Sequence, residues 1–258
     1  MRLRFLGTGT SFGIPQVGCD CQVCHSADAR DQRSRSAALV EQDDIAVLID
    51  TPPELRLQLI RAQVRKLDAV LYTHEHADHI AGIDDLRAFS VQSGQPLPVY
   101  GPPETVSRLA RAYEYIFDDD VQPVAGTSKP RLQARALEAG RTTVIAGLPV
   151  VPLELFHGAM RVFGYRIGPL AYITDVKSVP PAVYPALQDV QVLVLNALWW
   201  RPHPTHLSIP EAIAVAQQVG APRTFLTHLT HETGHAALAA ALPPGIAPAY
   251  DGLVVEVS

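Results

Sequence analysis

The chain has 258 residues, 47% hydrophobic and 18% charged, with a formal charge of −5. That length sits at the upper end of one domain, and the composition is that of a globular enzyme with a sizeable core. The charge excludes the basic footprint of a nucleic-acid binder, and no run reaches the roughly 18 apolar residues of a membrane span.

The first strand-like run, Arg2–Leu6, turns glycine-rich at Gly7, too early for a signal peptide. A reducing, cytoplasmic location is therefore expected. In Gly7-Thr8-Gly9-Thr10, small residues either let backbone N–H groups approach an anion or form a tight turn. The Gly-Lys-Ser/Thr ending of a phosphate loop is missing. All three cysteines then fall within six residues, Cys19-Asp20-Cys21-Gln22-Val23-Cys24. An odd number cannot pair fully, and a bridge across Cys-x-Cys is strained. Three thiolates favour zinc with a fourth ligand, most simply a His; His25, His231 and His235 compete for that place.

Strands are expected at Ala37–Val40, Ile45–Ile49, Ala69–Tyr72, Leu97–Tyr100, Thr142–Ile145, Val150–Phe156, Val162–Ile167, Leu170–Thr174, Val192–Leu195, Arg223–Leu226 and Leu253–Val257. Helical patterns lie between them at Glu54–Gln63, Asp84–Gln92, Glu104–Phe117, Pro181–Leu187, Pro210–Val219 and Glu232–Leu242. Strands that both cluster and alternate with helices predict an α/β chain with two sheets faced by helices. No linker interrupts 1–258, so one domain is expected. Residues 102–141 carry Tyr113, Tyr115, Phe117, Asp118-Asp119-Asp120 and a Pro/Gly-rich loop. They read as an insertion capping a pocket or as an ordinary surface helix.

Behind the run Ala69–Tyr72 stands His74-Glu75-His76-Ala77-Asp78-His79, in which His74, His76, Asp78 and His79 are four potential metal ligands within six residues. The His-Glu-x-x-His helix of zinc proteases needs a His four after His74, where Asp78 stands. An irregular loop is expected instead, with His74 and His76 on one side and Asp78 and His79 turned to a second centre. Other strand-like runs also end on potential ligands: Asp50, His157, Asp175 and His228. Strand ends converge on one rim, where α/β folds place their chemistry. The pattern predicts a two-metal hydrolase.

These motifs resemble the metallo-β-lactamase superfamily. The resemblance implies a four-layer αβ/βα sandwich in which His74, His76 and His157 hold one metal and Asp78, His79 and His228 the other. Asp175 would bridge them, and Asp50 would stand behind the ligands. The N-terminal Gly7-Thr8-Gly9-Thr10-Ser11 with the cysteine triplet is similar to the phosphodiesterases of carbon–phosphorus lyase pathways, which act on phosphoribosyl 1,2-cyclic phosphate. That family implies a structural zinc on Cys19, Cys21, Cys24 and His231, a homodimer, and a general acid at His206. One departure is Asn196-Ala197-Leu198-Trp199, where the family has Asp-Cys-Ser-His.

Two divalent ions, zinc or manganese, about 3.5–4 Å apart would lower the pKa of a bridging water and supply hydroxide near neutral pH. Asp78 would steer it, and His206 would protonate the leaving oxygen. A small cyclic phosphodiester is the expected substrate, with no large nucleic acid and no membrane as partner. A tRNA 3′-end endonuclease, a lactonase, a thioesterase and a non-enzymatic zinc module are the rival readings. Arg87 and Arg201 are either second-phosphate ligands or surface ion pairs.

Overall fold

The computed structural model describes residues 1–118 and 120–258; Asp119, in the acidic run noted above, lies outside the described residues. The first half contributes β1 (Arg2–Gly7), β2 (Ala37–Gln42), β3 (Ile45–Ile49), α1 (Leu55–Arg61), β4 (Ala69–Leu71), α2 (Ala77–Ile80), α3 (Arg87–Ser93) and β5 (Leu97–Gly101). It continues with α4 (Pro103–Ala112), α5 (Glu114–Phe117) and β6 (Leu132–Ala136). The second half holds β7 (Thr143–Ile145), β8 (Leu148–His157), β9 (Met160–Ile167), β10 (Leu170–Ile173) and β11 (Val192–Asn196). Then come α6 (Ile209–Val219), β12 (Arg223–Thr227), α7 (His235–Ala241), β13 (Ile246–Pro248) and β14 (Val254–Glu256).

Two seven-stranded sheets result, ordered β14-β1-β2-β3-β4-β5-β6 and β13-β12-β11-β10-β9-β8-β7. The run β3 to β6 is parallel, as is β10 to β13. The inner strands β3, β4, β10 and β11 are apolar on both faces, as strands covered on both sides must be. In β3, Val47 and Ile49 join the core between the sheets while Leu48 packs outward with Leu55, Leu59 and Ile83. In β11, Val192 and Val194 point inward while Leu193 and Leu195 meet Ile209, Ala212 and Ala216. This two-residue alternation creates three apolar layers between four layers of structure, helix–sheet–sheet–helix. The αβ/βα sandwich implied by the resemblance is the observed fold. Among the described residues, no helix is long and apolar enough to cross a membrane.

Local chemistry explains where elements stop. Ser208 caps α6 by accepting from Glu211 N, the Glu211 carboxylate returns to Ser208 N, and Gly220 ends the helix at φ 72°. The expected helix at 84–92 splits into a 3-10 turn, Ile83–Leu86, and α3. The expected helix at 104–117 breaks at Tyr113, whose φ of −124° is not helical. Gly234 delays the last helix to His235. The segment 102–141 is more than an insertion on the surface, because its β6 forms the edge of the first sheet.

One sequence expectation is corrected here, and one open alternative is decided. The ligand segment is not irregular throughout: Ala77–Ile80 forms one helical turn with extended His76 before it. That turn rotates Asp78 and His79 away from His74 and His76 without a long loop. The glycine run is a packing device and not an anion cradle. A Cβ on Gly7 would lie 2.0 Å from Arg35 O, and one on Gly9 2.9 Å from Arg33 O. The N–H groups of Thr8 and Gly9 are already donated to Ser34 O at 3.0 and 2.8 Å.

Candidate active site

Both parallel runs end on the same rim. Asp50 follows β3, Thr73 and His74 follow β4, Asp175 follows β10 by two residues, and His228 follows β12. Three of these adopt left-handed backbone: Asp50 at φ 62°, Asp175 at 55° and His228 at 57°. Asp and His tolerate that region better than branched residues, at a local cost of about 1–3 kcal/mol. Neighbouring hydrogen bonds hold the strained turns, with Asp50 N donating to Leu71 O and Thr51 N to His79 O, at 2.9 and 2.7 Å.

The ligand atoms fall into two adjoining groups, each with members within 4.8 Å of one another. His74, His76 and His157 form the first; Asp78, His79, Asp175 and His228 form the second. A third grouping, His157, Asp175 and His206, ties the two together. In the first group His74 Nε2 lies 3.0 Å from His76 Nδ1. In the second, His228 Nε2 is 3.0 Å from Asp175 Oδ2, and His79 Nε2 is 3.5 Å from both Asp78 Oδ2 and Asp175 Oδ1.

Hydrogen bonds behind the rings fix which nitrogen faces inward. His157 Nδ1 donates to Thr205 O at 2.8 Å, leaving Nε2 to the site. His79 Nδ1 donates to Asp50 Oδ2 at 2.7 Å, leaving its Nε2 likewise. Asp50 also accepts from Thr73 N and Thr73 Oγ1, each at 2.8 Å. The Thr73 hydroxyl, its proton given to Asp50, accepts from His74 Nδ1 at 3.0 Å. Asp50 therefore orients one imidazole in each group, which the sequence does not show.

The donor set fits divalent cations. His79 Nε2 and both nitrogens of His228 are buried and lack a well-aligned hydrogen bond among the described residues. Leaving such groups unpaired costs about 1–3 kcal/mol each, and two nearby carboxylates call for positive charge. Burial alone would raise the Asp175 carboxyl, but His228 and His79 hold it well below its ordinary value. Burial opposes charge on His228, yet Asp175 and Asp78 push its pKa up to about 9. Burial also pushes His157 down to about 4, which keeps it neutral and able to ligate.

His206 stands where both groups meet. Its Nε2 is 3.3 Å from Asp175 Oδ2, and its ring stacks on His228 at 4.9 Å and meets His157 edge-on at 4.4 Å. Nδ1 faces Thr205 Oγ1 at 3.0 Å and His203 Nδ1 at 3.2 Å. Burial lowers its pKa, although the hydrogen bond to Asp175 works the other way. In the departing segment, Asn196 Oδ1 accepts from Val176 N, and Trp199 lies under the Arg201 guanidinium at 3.7 Å.

The cysteine triplet closes on His231: Cys19, Cys21 and Cys24 Sγ lie 3.2, 3.3 and 3.5 Å from its Nδ1. A tetrahedral zinc with ordinary Zn–S and Zn–N bonds has S···N edges of about 3.5 Å, so the four residues fit that ion. The Cys24 N–H, donating to Cys21 Sγ, is the main reason that this thiol is pushed down to about 6. His25 points elsewhere, to Asp20 at 3.4 Å. His235 is also outside the group, with Nδ1 3.2 Å from Arg33 Nη2. Of the two arginines considered as phosphate ligands, Arg87 pairs with Asp84 and Arg201 is doubly bonded to Glu232. A cavity of about 900 Å³ beside α1 and α3 contains none of the grouped ligands.

The family model of the beta-lactamase superfamily domain matches residues 46–229, which include every ligand of both histidine–carboxylate groups. The chain belongs to the β-lactamase superfamily. A solved diphosphatase of the PhnP family is 36% identical, with a TM-score of 0.91 over 100% of this chain and 98% of that one. At that identity and coverage, membership of the superfamily narrows to the PhnP family. A Porphyromonas gingivalis protein called octanoyltransferase is 38% identical over 256 residues, 98% of this chain but 51% of that protein. The chain spans about half the length of the curated relatives it matches. Zinc-bound PqqB from Methylobacterium extorquens shares the superfamily fold at a TM-score of 0.79 and 20% identity.

Proposed function

We propose that the chain hydrolyses a small cyclic phosphodiester, of the phosphoribosyl 1,2-cyclic phosphate or 2′,3′-cyclic nucleotide type. The observation that carries this reading is His206, a histidine outside both ligand groups whose Nε2 faces Asp175 at 3.3 Å. His74, His76 and His157 would hold one divalent cation, and Asp78, His79 and His228 a second, with Asp175 between them. Zinc or manganese bound there supplies activated water near neutral pH and charge neutralisation for phosphate oxygens.

The chain's own residues do the rest. Asp50 and Thr73 keep the inward nitrogens of His79 and His74 free of protons. Asp78 orients the attacking group from the edge of the second centre. A neutral His206 accepts from Thr205 Oγ1 at Nδ1 and carries its proton on Nε2, toward the site. That proton passes to the leaving alkoxide, a group too basic to depart unaided. Cys19, Cys21, Cys24 and His231 would hold a structural zinc outside the reaction. The similar solved protein is described as a diphosphatase, which supports phosphorus as the atom attacked.

A second reading is thioester hydrolysis, favoured by the name of the Porphyromonas gingivalis relative. That name belongs to a protein of about twice this length, so the acyl chemistry has room to reside in the other half. Metal-reconstituted protein assayed on bis(p-nitrophenyl) phosphate, 2′,3′-cyclic nucleotides, a lactone and an octanoyl thioester decides between them. Turnover of the phosphodiesters is expected. Activity confined to the thioester or lactone would reject phosphodiester chemistry.

A further inference from the structure

Beside the metal ligands lies a cavity of about 500 Å³ that His76 lines together with Glu75, Ile80, Arg108, Arg111 and Tyr113. We propose that Arg108, Arg111 and Tyr113 form a subsite for a second, terminal phosphate of the substrate, an inference that rests on the phosphodiesterase reading above. His76 is the shared wall: its Nδ1 is 3.0 Å from His74 Nε2 on one side, and the cavity is on the other.

Helix α4 sets the two arginines. Its Thr105 and Leu109 are buried and seat the helix, and Glu104 pairs with Arg161 on β9 at the surface. Arg108 and Arg111, three apart, are neighbours on the helix surface and both line the cavity. Unlike Arg87 and Arg201, neither has a carboxylate partner or a hydrogen bond among the described residues. The Tyr113 phenol is likewise without a hydrogen-bond partner there. Glu75 is the acidic member of the wall and forms no ion pair with either arginine. Two forked guanidinium donors and a phenol match the oxygens of a phosphate dianion. A substrate bound through its diester at the metal ligands would place that dianion next to His76.

The test compares 2′,3′-cyclic adenosine monophosphate with its 5′-phosphorylated form on the metal-loaded protein and on Arg108→Gln/Arg111→Gln. Turnover and calorimetric affinity are both measured, with metal content and melting temperature as checks on folding. The 5′-phosphate should raise kcat/KM and affinity at least tenfold in the wild type, and the double substitution should remove most of that ratio. The wild-type gain should also shrink with added salt. No gain in the wild type, or a gain that survives the substitutions, overturns the subsite. If neither nucleotide is hydrolysed, the phosphodiesterase reading fails, while the affinity ratio still decides for or against the arginine subsite.

Discussion

The Asp50 carboxylate accepts a 2.7 Å hydrogen bond from His79 Nδ1, with both side chains fully buried. Through Thr73 the same carboxylate also sets His74, so one acid governs an imidazole in each metal group. Such partners hold ring orientation and ligand basicity, and losing them costs about 10–100-fold in metal affinity. Asp50→Asn should weaken both centres by that order and lower turnover in parallel, with partial rescue by excess zinc or manganese. Metal titration with a competing chelator checks it; wild-type affinity at both centres would show that Asp50 only fills space.

His206→Ala should leave metal content intact and cut turnover of an unactivated phosphodiester by about 10²–10⁴-fold. A p-nitrophenyl ester, whose leaving group needs no proton, should suffer much less. The comparison of the two substrates is the readout. Equal losses on both would assign His206 to metal binding or packing instead.

Much of the site was legible in the sequence because metal ligands need unusual residues at strand ends. Asp50, His74, His157, Asp175 and His228 each follow an apolar run, and the fold brings them to one rim. His206 was visible for a similar reason, standing before Ser208 and Pro210 at the start of α6. Thr73 gave no signal, since its role depends on donating to Asp50 while accepting from His74. The arginines were not separable by sequence either. Whether Arg87 is consumed by Asp84 and Arg201 by Glu232, while Arg108 and Arg111 are not, is settled only by tertiary packing. The glycine run stayed open between an anion site and a tight turn, because close backbone approach and anion binding require the same small residues.

Cys24→Ser and His231→Ala should each remove one equivalent of zinc, lower the melting temperature, and leave the histidine–carboxylate centres able to bind metal. The hydrogen bonds of the cysteine segment run to Gln16, within its own turn and to His231, so its loss is local to that loop. Metal analysis with thermal denaturation checks this. Loss of all metal in either variant would contradict a separate structural site.

Acid sensitivity should depend on His235. Burial, with Arg33 beside it, lowers the His235 pKa below the ordinary 6.5. The unfolded chain then binds more protons between the folded value and 6.5, so stability is complete above that window and is lost as pH falls into it. His235→Gln should flatten the stability profile below about pH 6.5 relative to the wild type, by at most about 1.4 kcal/mol per pH unit. Denaturant titrations from pH 5 to 8 measure the difference; parallel profiles would remove His235 from the acid response.

The most direct test is a count of divalent metal per chain in fully loaded protein, repeated on a variant carrying both Asp175→Ala and His228→Ala. Three equivalents are expected in the wild type: two at the centres flanking Asp175 and one on the cysteines. The variant should lose metal from those two centres and keep the cysteine-held ion. A wild type that binds only one equivalent, retained when Asp175 and His228 are removed, would contradict a paired-metal hydrolase.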